Sequence, residues 1–186
     1  MIYLDYSATT RTDEAVLDSF IKSSNTYFAN ANQTHRLGVE AKNMIDAATN
    51  QIASILKVKP SEIIYTSGAS ESNNTVIKEV SYTFSNRGKH IITSAFEHSS
   101  IYESLEFLKK NGFTVDVVKN DENGLIDLED LKRLLTKDTI LVTIAEVNSE
   151  TGLKQDINKI GKIIKENSRS FFHSDITQSV GKKKVN

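Results

Sequence analysis

The sequence predicts an α/β fold built on a mainly parallel sheet. Three observations predict it: short β-branched runs alternate with stretches of helical spacing, each run is followed by polar or small residues, and no repeat or low-complexity segment interrupts the cycle. Five runs serve as strands: Ile63-Ile64-Tyr65, Ile91-Ile92-Thr93, Val115-Asp116-Val117-Val118, Ile140-Leu141-Val142-Thr143-Ile144 and one opened by Phe171-Phe172. In such a sheet ligands bind at the carboxyl ends of the strands.

In chain order, Ile2-Tyr3-Leu4 and the small polar residues to Thr10 read as an arm over residues 1–12. Thr12 is the expected N-cap of a first helix that carries Asp13 and Glu14 in its first turn and Ala15, Val16, Phe20 and Ile21 on one face. Ser23 to Gln33 reads as loop, with Asn25, Asn30 and Asn32 favouring turns. From about Arg36 to Leu56 apolar residues recur at steps of three and four, the mark of a long amphipathic helix, and Pro60 follows its exit. Further helices are expected over about Ser70–Phe84, Ser99–Lys110, after the cap Asp127, and over Ile157–Ile164.

Composition narrows the function. With 38% hydrophobic and 25% charged residues and a net charge of -1, the chain is an ordinary globular protein with no electrostatic footprint for nucleic acid. The cluster Lys182-Lys183-Lys184 reads as a solvated terminus. No apolar run has membrane-spanning length and no signal-peptide pattern stands at the N-terminus, so a cytoplasmic location is the default expectation. The absence of cysteine excludes a disulfide or a thiol nucleophile within these residues, and no metal site is expected.

The strand ends carry the chemistry. Thr66-Ser67-Gly68-Ala69-Ser70 looks like a phosphate cup: Gly68 is expected to turn the backbone without Cβ strain, and Ser70 sits where a helix begins with unpaired N–H groups. Glu97-His98, Glu146-Val147-Asn148-Ser149-Glu150, and Asp175 with Thr177-Gln178 follow later strands. An anion-binding turn, an imidazole, amides and a carboxylate at one sheet edge describe a site for a ligand with a phosphate and a heteroaromatic ring.

Leu4-Asp5-Tyr6-Ser7-Ala8-Thr9-Thr10, Thr66 to Asn73, Glu97-His98, Val147-Asn148-Ser149-Glu150-Thr151-Gly152 and His173 to Gly181, in this order, resemble the cysteine desulfurases, class V, fold-type I enzymes dependent on pyridoxal 5'-phosphate (PLP). Gly38 and His35 fit a family loop, whereas Ala29 and Ala31 stand where Gly and Pro are usual. The resemblance implies a three-layer large domain over residues 13–186. Asp175 would pair with the protonated pyridine nitrogen, and His98 would stack on the ring and is a candidate for moving protons. Asn148 and Gln178 would donate near the phenolic oxygen, and Ala69 and Ser70 would hold the phosphate. His90 and His173 are expected to be structural, and Glu71 and Glu150 are given no catalytic role.

The resemblance also implies what is missing. No histidine here is followed by lysine, so the Schiff-base lysine, the downstream strands and the small domain are expected to lie outside this chain, which alone would be inactive. Two of those strands would stand between Ile63–Thr66 and Ile140–Ile144, leaving unpaired edges and an uncovered apolar face. The expectation is therefore part of a homodimeric enzyme that takes sulfur from L-cysteine, leaves alanine and passes a persulfide to an acceptor protein, as in iron–sulfur cluster assembly. Another class V aminotransferase or lyase, or a non-catalytic module of the same fold, stays open.

Overall fold

The computed structural model describes residues 1–182; Lys183 and Lys184 of the terminal lysine cluster lie outside the described residues. The chain divides into two compact units, one from Met1 to Tyr65 and one from Thr66 onward.

The first unit holds two helices, α1 (Glu14–Thr26) and α2 (Arg36–Leu56). Asp13, rather than the expected Thr12, caps α1, because its carboxylate accepts the Ala15 N–H at 2.9 Å and so satisfies one of the free donors of the first turn. The helix runs to Thr26, so the loop expected from Ser23 starts later. At the other cap, His35 Nδ1 accepts the Gly38 N–H at 3.3 Å. Gly38 is required there: a Cβ would stand 2.4 Å from the Gln33 carbonyl oxygen. Lys57 ends α2 in the left-handed conformation with φ 57°. The apolar faces are real but uncovered: no residue of α1 is buried, and Val39, Ile45 and Ile55 of α2 are exposed.

Ile63–Tyr65 is not a strand. Ile63 is extended, but the stretch pairs with nothing among the described residues, and Ile64 is 82% exposed. β-branched residues favour extended backbone without supplying a neighbour, and a strand exists only by its ladder.

The second unit is a four-stranded parallel sheet in the order β2-β1-β3-β4, formed by β1 (His90–Thr93), β2 (Thr114–Val117), β3 (Thr139–Thr143) and β4 (Phe171–His173). The expected open edge at the Ile140 strand is therefore absent, since β3 is flanked by β1 and β4 and the edges are β2 and β4. Four helices cover the two faces: α3 (Ala69–Thr83), α4 (Ser99–Lys110), α5 (Leu128–Leu134) and α6 (Ile157–Asn167). Strand alternation sorts the core. Ile91 and Leu141 face Ile77, Ile101, Leu105 and Leu108 of α3 and α4, while Ile92 and Val142 face Leu131, Ile160 and Ile164 of α5 and α6. A bulge in β3 slips the register between His90 and Ile91, and so lets Ile140 and its neighbour Leu141 join the same cluster. Each buried branched side chain in these layers contributes roughly 1.5–3 kcal/mol. Register then levels Thr93, Val117, Thr143 and His173 along one rim.

Candidate functional site

The segments leaving that rim carry the polar residues. At the start of α3, Gly68 is the N-cap with no side-chain bond, and the N–H groups of Ala69, Ser70 and Glu71 have no acceptor among the described residues. Glu71 closes the turn instead by accepting from Ser67 N and Oγ, both at 2.6 Å, and these bonds hold its carboxyl below the ordinary range. Gly68 does not make the strained turn expected of it. Its φ of 164° is extended backbone, and a Cβ there would meet nothing within 4 Å, so the space before the helix is open.

One α3 residue ties this helix start to the far end of the sheet. Asn73 is 3% exposed and donates from Nδ2 to Asp175 Oδ2 at 2.9 Å. Asp175 follows β4, and its Oδ1 accepts the Thr177 N–H at 2.9 Å. Burial raises the Asp175 pKa, but hydrogen bonds from Thr177 and Asn73, with His173 nearby, outweigh it and hold the carboxyl below the usual carboxylate range. Ser70 lies three residues before Asn73, roughly 4.5 Å along the helix axis. The anion-attracting helix start and the carboxylate thus share a rim.

His98 lies there too. It caps α4, with Nδ1 accepting the Ser100 N–H at 3.2 Å and lying 2.9 Å from Ser100 Oγ. Ser100 Oγ in turn accepts from Asn73 Nδ2 at 3.1 Å, so His98 and Asp175 join through two buried side chains. Asn148 organises its own loop: Oδ1 accepts from Glu150 N, Thr151 N and Thr151 Oγ1 at 2.8–3.0 Å, and Nδ2 donates to Phe96 O at 3.1 Å, which leaves one amide hydrogen. Gln178 is half-buried on the turn after Asp175.

His173 Nδ1 lies 2.9 Å from Thr143 Oγ1, bracing β4 against β3, and burial holds its pKa low against the pull of Asp175. His90 lies at the other rim, between Thr139 Oγ1 at 2.8 Å and Asp116 Oδ2 at 3.2 Å. A cavity of about 910 Å³ also lies at that other rim, lined by residues before β1 and β4 and by the start of β3 and the residues before it, among them Arg87, Lys137 and Arg169; it includes none of the expected site residues.

Residues 2–186 match the family described as Aminotransferase class-V. The chain belongs to that family. Cysteine desulfurase IscS of Buchnera aphidicola subsp. Acyrthosiphon pisum (strain 5A) is 44% identical over 184 residues, 97% of this chain and 45% of that protein. Cysteine desulfurase IscS of Haemophilus influenzae (strain PittGG) is 41% identical over 188 residues, 100% of this chain and 46% of that protein. Among solved structures, a NifS-like protein matches with a TM-score of 0.93 and 37% identity, over 97% of this chain and 50% of its own. SspA in complex with cysteine matches with a TM-score of 0.92 and 36% identity, over 99% of this chain and 53% of its own. The chain spans about half the length of the curated relatives it matches. The class-V aminotransferases and cysteine desulfurases are PLP-dependent, and the parallel three-layer unit here is their architecture.

Against this family background three buried residues stand out that the sequence reading gave no role. Glu97, 6% exposed, accepts from Ser94 Oγ and from the Ala145 N–H at 2.9 and 3.1 Å, so it joins the ends of β1 and β3. Burial raises its pKa to about 7 against the pull of those bonds, with Asp175 adding to the rise. Glu146, 2% exposed, accepts from Ser179 Oγ, and its N–H donates to the Asp175 carbonyl at 3.0 Å. Asn73 is the third. Its sequence signals are its place at the end of the Thr66-to-Asn73 motif and its position four before Ile77 on the buried stripe of α3.

Proposed function

We propose that this chain supplies the PLP-binding floor of a cysteine desulfurase. The observation that carries the reading is the Asn73–Asp175 bond of 2.9 Å, which brings the start of α3 and an ionised carboxylate to one site. The residues fit the cofactor. Three N–H groups without acceptors among the described residues and the open space at Gly68 suit a phosphate dianion, and Asp175 suits a protonated ring nitrogen.

In this reading Ala69 and Ser70 hold the phosphate, Asp175 keeps the proton on the ring nitrogen, and Asn148 and Gln178 donate toward the phenolic oxygen. His98 lies against the ring. When bound, PLP supplies an electron-accepting ring that draws density from the substrate α-carbon. Glu97 and Glu146 brace the strand ends from beneath, keeping Asp175 fixed while substrate exchanges. The substrate is L-cysteine, the product alanine, and the sulfur leaves as a persulfide on a thiol supplied from outside these 186 residues, which include no cysteine. The same holds for the Schiff-base lysine, so the chain alone binds without turning over. The uncovered apolar faces of α1 and α2 support a homodimer, and the setting is cytoplasmic delivery to a sulfur-acceptor protein.

Titration of PLP into the chain, followed by phosphorus NMR, tests this. Saturable one-site binding is expected, weakened roughly 10- to 100-fold by Asp175→Asn, the worth of one charged hydrogen bond. Binding that ignores Asp175→Asn would sink the reading.

A further inference from the structure

Proton positions in the chain of bonds between Asp175 and His98 follow from chemistry. An ionised carboxylate only accepts, so the Asn73 atom 2.9 Å from Asp175 Oδ2 is Nδ2, and the orientation of the amide is fixed. The second hydrogen of Nδ2 goes to Ser100 Oγ at 3.1 Å. The Ser100 N–H, which can only donate, points at His98 Nδ1 at 3.2 Å, so the Ser100 hydroxyl, 2.9 Å from the same nitrogen, turns its own hydrogen to it as well. Two donors converge on one ring nitrogen, and that nitrogen must carry a lone pair. Asn73 and Ser100 are both buried, so water does not replace either donor.

We infer that Asn73 and Ser100 are positioning residues which transmit the orientation set by Asp175 to His98, holding its imidazole as the neutral Nε2–H tautomer. Nε2 has no partner among the described residues. His98 therefore meets the site as a hydrogen-bond donor. Its lone pair, on Nδ1, is spent on the Ser100 N–H and hydroxyl, so the face it turns to the site is the Nε2–H. The use of this device rests on the PLP reading above; its geometry does not.

Long-range proton–nitrogen NMR of the chain labelled at histidine reads the tautomer, with the His98 signals assigned by their loss in His98→Gln. The wild-type chain is expected to show His98 with Nδ1 bare and Nε2 protonated. Ser100→Ala should raise the Nδ1–H to Nε2–H ratio by about fivefold for the loss of one neutral hydrogen bond, and Asn73→Ala should raise it in the same direction, because the Ser100 hydroxyl it frees can then accept from an Nδ1–H. Asn73→Ala is the decisive variant, since Asn73 does not touch His98 and a merely structural role would lower the Tm without moving the ratio. Ser100→Ala serves if Asn73→Ala fails to fold. An Nδ1–H imidazole in the wild type, or folded variants that keep the wild-type ratio, would overturn the inference. PLP added to the same samples separates the two ideas: the expected tautomer with no PLP binding supports the relay and defeats the cofactor reading.

Discussion

The two rims of the sheet use the same residue types to opposite ends. At the amino rim His90 spends both ring nitrogens on Thr139 and Asp116, and Gly88 packs so closely that a Cβ would stand 2.1 Å from the Asp138 carbonyl oxygen. At the carboxyl rim His173 also bonds a β3 threonine, yet around it several polar groups have no partner among the described residues: the first N–H groups of α3, one hydrogen of Asn148 and Nε2 of His98. The difference teaches that buried polarity marks a site only where it leaves bonds to make. A closed set of partners is architecture.

The largest effect belongs to the amino rim, where Gly88→Ala forces the Asp138 backbone to move and should cost about 3 kcal/mol or more in denaturant unfolding, without any effect specific to PLP.

Next is Glu97, whose folded pKa of about 7 lies above the unfolded carboxyl value, so its favourable contribution is full below about pH 4.5 and fades as pH rises to 7. The loss approaches about 3 kcal/mol. His173 acts oppositely, since its lowered pKa removes stability as pH falls through the ordinary imidazole range, and Asp175 removes more at acid pH. The comparison of wild type with Glu97→Gln therefore isolates the Glu97 share: the variant should lose the stability decline between pH 5 and 7, read as Tm against pH. An unchanged slope would mean that Glu97 titrates as an ordinary surface acid.

The smallest effect sharpens the contrast between two glycines. Gly68→Ala meets open space and should cost less than about 1 kcal/mol, the difference between Gly and Ala at an N-cap, while weakening PLP because the new methyl enters the space before the helix. A stability loss as large as that of Gly88→Ala would remove the distinction between the rims.

Much of this was legible in the sequence, for reasons that can be named. The helices expected over about Arg36–Leu56 and about Ser99–Lys110 agree with α2 and α4, because apolar periodicity and polar caps are local signals. Asp127 was read as a cap for the same reason, and its carboxylate accepts from Glu129 N and Asp130 N. Pairing is not local, so Ile63–Tyr65 passed for a strand and β3 for an open edge. Likewise Asp175 and His98 are singled out as candidates by their positions after strands, and Ser70 by its place at a helix start, but nothing in composition separates buried Glu97 or Glu146 from exposed Glu150. At Gly68 the sequence suggests backbone freedom, whereas the structure shows extended backbone and the room that the missing side chain leaves.

In the proposed function one PLP spans the rim between α3 and Asp175. A crystal structure of the chain soaked with PLP tests it most directly. The account predicts phosphate on the N–H groups of Ala69 and Ser70 and the ring nitrogen within hydrogen-bond reach of Asp175; PLP seated instead among Arg87, Lys137 and Arg169 at the amino rim would contradict it.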